Sequence, residues 1–175
     1  MTHLQGRLQP PGRMAELAAD NLAECPQRQL TVALKGLPQW QDAGLATMAR
    51  QQGHAQALLE GYHRHGAQVL QYLHGGFALA IQDIGKDSAL LATDRSGIVS
   101  LFHASDGVGL VFGSRADQVA AQPGVPGGLN PQALYDYLYF HVVPGPETIF
   151  AGVHRLQPGE CLHWQAGQAR IEPYW

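Results

Sequence analysis

The sequence is poor in charge, in cysteine and in long hydrophobic runs. Asp, Glu, Lys and Arg make up 14% of its 175 residues, well below the average of about 25% for globular domains. The 11 basic residues form no stripe and the formal net charge is -3, so we do not expect a nucleic-acid partner. No apolar run approaches the roughly 18 residues that span a bilayer, and residues 1–10 lack the apolar core of a signal peptide. We therefore expect no membrane association either.

Two cysteines are too few for a disulfide framework. Cys25 and Cys161 are far apart in the chain and do not have the spacing of metal ligands. We predict two reduced thiols, no metal site and a cytoplasmic protein.

The length and the apolar content fit one globular domain over residues 1–175. The apolar fraction of 45% is sufficient for a hydrophobic core in a chain of this size. A surface with so little charge also predicts packing against another domain or protein.

Hydrophobic periodicity predicts strands flanked by helices. The Asn130-Pro131 pair is typical of a helix start, and Leu134, Tyr137 and Leu138 would form the apolar face of that helix. Short turns between the strands indicate antiparallel pairing and an α+β fold. The predicted helices are 14–23, 40–50, 54–65, 115–121 and 130–140, and the predicted strands are 2–8, 30–34, 76–81, 87–93, 98–103, 109–112, 161–164 and 169–171.

Several segments, in order, resemble the class II glutamine amidotransferase domain of the asparagine synthetase family. LHGGFALAIQD at residues 73–83 is similar to a family strand, and ATDRSGI at 92–98 is similar to the turn that follows it. LNPQAL at 129–134 and VPGPETIF at 143–150 match a family run almost residue for residue, and Tyr174-Trp175 continues the match. The resemblance is strong from about residue 60 onward and weak before it.

This resemblance implies the Ntn-hydrolase fold, a four-layer αββα sandwich of two antiparallel sheets. It also implies that Tyr174-Trp175 lies where the family's ATP-using synthetase domain would begin in a longer native chain. ATP and Mg are then expected only for that domain, and no cofactor is expected in residues 1–175. Asp94 and Arg95, in the resembling turn, are read as an internal ion pair or a hydrogen-bonded turn.

The nucleophile that the family uses is replaced. Members of the family attack glutamine with an N-terminal cysteine whose free α-amine serves as the base. Here Thr2 occupies that position, as a vestigial catalytic residue. Threonine can serve as an N-terminal nucleophile after removal of Met1, so an active threonine-dependent amidohydrolase stays open as an alternative.

The glutamine-binding positions are also altered. The family places an asparagine amide and a glycine N–H at the oxyanion, and the matching residues here are Lys35 and Gly36, which we expect in a turn with the lysine facing solvent. His54 stands where the family has an aspartate that binds the substrate ammonium. Arg115 replaces a family glutamate, which reverses the charge at that position.

Together these substitutions predict a glutaminase-like domain that does not hydrolyse glutamine. It would support an amide-forming synthetase domain, on the same chain or on a partner, and a homodimer stays open. A free-standing binding or scaffold module is the remaining alternative.

Overall fold

The computed structural model describes residues 3–9, 13–19 and 21–175. Within this part of the chain, none of the helices is long and apolar enough to cross a membrane. The helices are α1 Ala43–Gln52, α2 His54–His65, α3 Ala116–Ala120 and α4 Pro131–Phe140. The strands are β1 Leu4–Gln9, β2 Arg13–Ala19, β3 Asn21–Cys25, β4 Leu30–Trp40, β5 Leu73–Asp83, β6 Ser88–Thr93, β7 Phe102–Ser105, β8 Leu110–Gly113, β9 His154–Arg155, β10 Glu160–Gln165 and β11 Gln168–Pro173.

The strands form two antiparallel sheets. The five-stranded sheet has the order β2-β1-β8-β7-β9, and the six-stranded sheet has the order β11-β10-β6-β5-β4-β3. Successive side chains of β4 point alternately toward the other sheet and toward α2, because neighbouring residues of a strand face opposite sides of the sheet. Ala33 is buried among residues of both sheets, whereas Val32 and Leu34 are buried against α2.

Helices cover the outer face of each sheet. Leu58 and Leu59 of α2 are buried against the six-stranded sheet, and Val119 of α3 is buried against Val111 of β8 in the other sheet. The predicted α+β class and the αββα order of layers are confirmed.

The helix predicted for residues 14–23 is wrong. Residues 13–19 and 21–25 form β2 and β3, which belong to different sheets. Leu17 and Ala19 pack into the space between the sheets while Ala18 is exposed, so the period is two and not 3.6. Pairing of β2 along the whole of β1 overrides the local helical spacing.

Other sequence-based boundaries shift as well: the helix predicted for 40–50 is Ala43–Gln52, and the strand predicted for 76–81 is Leu73–Asp83. Strand β4 was predicted to end at residue 34 but runs to Trp40, paired in continuous register with β5. Pro38 is tolerated there because the described residues of β3 pair with β4 only as far as Leu34, which leaves an edge beyond it. Strand β7 begins at Phe102, and the first predicted strand, 2–8, is β1, which begins at Leu4.

The predicted bounds of α2 and α4 are confirmed, but the apolar face of α4 is not buried. Asn130 caps α4 by accepting hydrogen bonds from the backbone N–H groups of Gln132 and Ala133, and Ala133 is its buried residue. The side chains predicted to pack inward are exposed: 41% for Leu134, 51% for Tyr137 and 69% for Leu138. Helix α4 therefore presents apolar side chains to the surroundings of this domain.

A fully buried carboxylate organises the turn after β6. Asp94 accepts hydrogen bonds from four backbone N–H groups, those of Phe77 at 3.2 Å, Ser96 at 2.9 Å, Ile98 at 3.0 Å and Val99 at 2.9 Å. Since two of these donors come from 98–99, that segment is unavailable for the strand predicted to begin at residue 98. The hydrogen-bonded turn expected at Asp94 is thus what the structure contains.

Asp94→Ala should lower the free energy of unfolding by about 3–5 kcal/mol, because it leaves several backbone donors unsatisfied in the interior. Asp136→Ala is the matched control, since Asp136 is part-exposed on α4 and accepts one side-chain hydrogen bond, from Gln132. The control should change stability by less than about 0.5 kcal/mol. Urea unfolding curves measure both, and equal effects would contradict this account of the turn.

Burial gives His103 a pH-dependent contribution to stability. Desolvation on β7, reinforced by the nearby His154 ring at 5.8 Å, lowers the pKa of His103 to about 4 from the usual 6.5. Below pH 6.5 the unfolded chain takes up a proton that the folded chain does not. Stability is therefore lost as the pH falls from 6.5 to 4, by at most about 3 kcal/mol.

His103→Phe should remove this part of the pH dependence. We expect the difference in unfolding free energy between parent and variant to change steadily between pH 6.5 and pH 4, and to be constant above pH 7. Urea titrations at a series of pH values measure it, and parallel curves for the two proteins would refute the assignment.

Candidate active site

The predicted catalytic region lies where β1 begins, at the end of the five-stranded sheet. The backbone N–H of Ser114, just after β8, donates a 2.8 Å hydrogen bond to the carbonyl of Leu4. This bond fixes the start of β1 beside Ser114. Thr2, the predicted position of the nucleophile, lies outside the described residues.

Lys35 reaches this point from the other sheet. Its Nζ donates a 3.0 Å hydrogen bond to Ser114 Oγ. Lys35 is two residues from Ala33 on β4, so it shares the face that looks into the space between the sheets. It is half-buried and lies in a strand, which corrects the expectation of a solvent-facing turn lysine.

Gly36 lies where the backbones of β4 and β5 approach each other closely. Its φ of +100° belongs to the region that favours glycine, and a Cβ there would lie 2.3 Å from the carbonyl oxygen of Gly76. No side chain fits at this position without moving one of the strands. Glycine is therefore required here by the packing of the site as well as by any use of its N–H.

His54 is held elsewhere. It is the first residue of α2, and its Nδ1 accepts a 3.1 Å hydrogen bond from Nε1 of Trp40. With Nδ1 as the acceptor, the neutral ring carries its proton on Nε2. Trp40 is five residues beyond Lys35 on β4, which is about 16 Å of extended chain. The structure thus joins Lys35 and Gly36 to the start of β1 and joins His54 to the far end of β4.

Arg115 forms a local ion pair and does not enter the site. Its guanidinium donates two hydrogen bonds to the carboxylate of Asp117, at 3.0 and 2.6 Å, in the first turn of α3. Both side chains are exposed, and each shifts the other's pKa: Asp117 is lowered and Arg115 is raised by their hydrogen bonds. The reversed charge at residue 115 is therefore compensated within α3.

Sequence reasoning missed two residues of this region, Ser114 and Trp40. Each is the hydrogen-bond partner of a predicted pocket residue. The Lys35–Ser114 contact joins residues that are 79 positions apart in the chain, so no local sequence pattern predicts it. The Trp40–His54 contact spans 14 residues, and its only signal is an aromatic donor close before the start of a helix.

The side chain that Lys35 contributes to this region is a cationic donor. The Lys35 ammonium has three N–H donors, one of which goes to Ser114 Oγ. Among the described residues it is held by one hydrogen bond at the end of a flexible stem, whereas catalytic oxyanion donors are preorganised.

Comparison with known proteins decides the family. Residues 41–175 match the family model of a glutamine amidotransferase domain. The chain belongs to this family. The matched segment contains His54 and Ser114 but begins after Lys35 and Gly36.

Similar curated proteins are much longer than this chain. It is 36% identical over 119 residues to a putative glutamine-hydrolysing asparagine synthetase of Mycobacterium bovis, and equally to one of Mycobacterium tuberculosis, covering 66% of this chain and 18% of the relative. It is 26% identical over 121 residues to asparagine synthetase 3 of Bacillus subtilis, covering 69% of this chain and 20% of the relative. The chain spans about a fifth of the length of these relatives.

Solved structures agree on the fold. The chain is similar to an allosteric regulatory enzyme of purine biosynthesis, with a TM-score of 0.54 and 14% identity, over 99% of this chain and 43% of the other. It is also similar to the glutamine phosphoribosylpyrophosphate amidotransferase of Bacillus subtilis, with a TM-score of 0.53 and 14% identity over the same shares. At this identity the likeness establishes the Ntn-hydrolase fold and nothing about substrate.

Gly36→Ala should destabilise the protein by about 2–3 kcal/mol, because it combines a positive φ with a clash against Gly76. Gly127→Ala is the control, since a Cβ there meets nothing within 4 Å. It should change stability by less than about 0.5 kcal/mol. Denaturant unfolding of both variants measures the difference, and an unaffected Gly36→Ala protein would show that β4 and β5 do not approach as described.

Proposed function

We propose that this domain is a glutaminase-like module that does not hydrolyse glutamine and that supports an ATP-dependent, amide-forming synthetase domain. The observation that carries the first half of the proposal is the Lys35–Ser114 hydrogen bond at the start of β1. The second half is supported by the likeness to much longer asparagine synthetases.

The Lys35 ammonium changes the chemistry expected at the oxyanion position. An amide fixed in a turn donates to the developing charge without reorganising, and the loss of one such donor costs roughly 3–4 kcal/mol of barrier. Lys35 uses one of its three N–H groups on Ser114, so its remaining donors reach an oxyanion only where that bond leaves the ammonium. Gly36 alone keeps the backbone N–H that the family chemistry uses.

His54 removes the carboxylate that would bind a substrate ammonium. A neutral imidazole whose Nδ1 accepts from Trp40 offers an N–H donor on its other nitrogen, which repels an ammonium and does not pair with it. His54 is also held at Trp40, about 16 Å of extended chain from Lys35, so it is not placed to bind the amino group of a glutamine whose amide lies at Lys35.

The exposed apolar surface of α4 fits a domain that packs against a second one. Tyr139 and Phe140 are 70% and 57% exposed, next to Leu138 at 69%. Clustered apolar exposure of this kind marks interaction surfaces in soluble proteins. We propose that a synthetase domain, which would account for the four fifths of the relatives' length that this chain does not match, covers this surface and holds the ATP and Mg.

The test is glutamate release from glutamine by the intact protein, after mass spectrometry has established whether Met1 is removed. We expect no turnover above that of heat-denatured protein. Turnover that Thr2→Ala abolishes and that Thr47→Ala retains would overturn the proposal in favour of a threonine nucleophile. Thr47 is a suitable control because it is an exposed threonine on α1.

The synthetase role is tested on the longer protein that contains this domain. We expect ATP-dependent amide formation to proceed with ammonium, or with an amine of the substrate, and to gain nothing from added glutamine. Amide formation driven by glutamine alone would contradict the inactive assignment, and an absence of any synthetase sequence or partner would contradict the supporting role.

A further inference from the structure

Three metal-ligating side chains converge on one face of the β10–β11 hairpin. Cys161 and His163 are two residues apart on β10, and Glu172 lies directly opposite Cys161 on β11. Residues i and i+2 of a strand share a face, and cross-strand partners have Cβ atoms about 4.5–5.5 Å apart. Pairing of the two strands therefore places a thiol, an imidazole and a carboxylate together.

The donor atoms have the spacing of a single metal ion's ligands. Cys161 Sγ lies 3.4 Å from His163 Nε2, His163 Nε2 lies 3.1 Å from Glu172 Oε1, and the three atoms all lie within 4.8 Å of one another. Ligands of tetrahedral zinc at bond lengths near 2.0–2.3 Å stand roughly 3.3–3.8 Å apart. Small side-chain rotations bring the three atoms around one ion.

The geometry argues against a Cys-His-acid catalytic relay. Such a relay needs the imidazole to use one nitrogen for the nucleophile and the other for the acid. Here the sulfur and the carboxylate both approach the same atom, His163 Nε2. The lone pairs of the three groups meet at one point instead of forming a chain.

We propose that Cys161, His163 and Glu172 bind one divalent cation of borderline softness, with Zn²⁺ the best match. A thiolate and an imidazole select against Mg²⁺ and Ca²⁺, which take oxygen ligands, and favour zinc-like ions. This site is separate from the region around Lys35 and does not depend on the proposed function.

The surroundings suit an accessible site with one open coordination position. Cys161 is 2% exposed, while the His163 and Glu172 side chains are 36% and 35% exposed, so the sulfur forms the floor and the other two donors form the mouth. Three protein ligands leave a fourth position for water or another ligand.

Arg170 supports the carboxylate from outside. Its guanidinium donates a hydrogen bond to Glu172 Oε2, which leaves Oε1 directed at His163. Metal-ligating carboxylates are commonly held by such outer partners. Arg170 pairs with His163 across the hairpin, so the same strand register that assembles the donors also supplies this support.

The test uses the intact protein, reduced and stripped of metal with a chelator. Titration with Zn²⁺ by calorimetry should show one ion bound per chain, Co²⁺ should give a thiolate charge-transfer band, and Mg²⁺ and Ca²⁺ should give neither. The midpoint of thermal unfolding should rise with Zn²⁺ concentration, because the ion binds the folded chain.

Cys161→Ser, His163→Gln and Glu172→Gln should each lower Zn²⁺ affinity by at least about 10-fold. Cys25→Ser and His63→Gln are the matched controls, since these residues lie on β3 and α2, and each should retain the parent affinity. Cys161 is buried, so if its variant fails to fold, the two substitutions at part-exposed positions decide the question.

The proposal fails if the protein binds no stoichiometric Zn²⁺. It also fails if His163→Gln and Glu172→Gln bind as tightly as the parent, or if Cys25→Ser weakens binding as much as they do. Unchanged affinity in the His163 and Glu172 variants, or an equal loss in the Cys25 variant, would mean that these three side chains do not form the site.

Discussion

The buried carboxylate of Asp94 is the constraint on which the centre of the six-stranded sheet depends. The backbone N–H of Asp94 donates to the carbonyl of Phe77 at 2.9 Å, and the carbonyl of Asp94 accepts from the N–H of Gly159 at 3.1 Å. With the four side-chain hydrogen bonds, one residue fixes β5, the exit of β6 and the approach to β10. A buried charge persists only where its oxygens are satisfied, and backbone donors supply that here.

The end of the chain packs against the same turn. The hydroxyl of Tyr174 donates to the carbonyl of Thr93 at 2.7 Å, and the Arg95 guanidinium lies 3.6 Å from the centre of the Trp175 ring. Arg95 also donates to the carbonyl of Gln71 at 3.1 Å. Asp94 and Arg95 thus hold different parts of the structure instead of pairing with each other, which favours the hydrogen-bonded turn over the internal ion pair.

This turn also bears on the candidate active site. Phe77, which it anchors, is the register partner of Gly36, and Gly76 is the residue whose carbonyl Gly36 approaches. The position of the Lys35–Gly36 pair is therefore set from the β5 side by the Asp94 turn and from the β1 side by Ser114. The structure brings Lys35 and Gly36 to the start of β1 and holds His54 at Trp40, the last residue of β4.

The sequence by itself determined the helices whose signals are local. Gly66 ends α2, and Asn130 with Pro131 begins α4, because caps act on backbone groups within a few residues. The sequence also predicted the α+β class and the family through the order of its motifs. The helix predicted for residues 14–23 was wrong, because the side-chain spacing there suits a helix but pairing with β1 imposes the period of two of a strand.

Only the tertiary structure decided which distant side chains meet. Lys35 with Ser114, His54 with Trp40, and Cys161 and His163 with Glu172 are brought together by strand register, by sheet stacking or by the packing of a helix on a strand end. The tertiary structure also decided that the apolar face of α4 is exposed. An apolar helix face has the same sequence pattern whether it packs inside its own domain or against another domain. Local chemistry fixes where an element starts and ends, whereas long-range pairing fixes what its side chains touch.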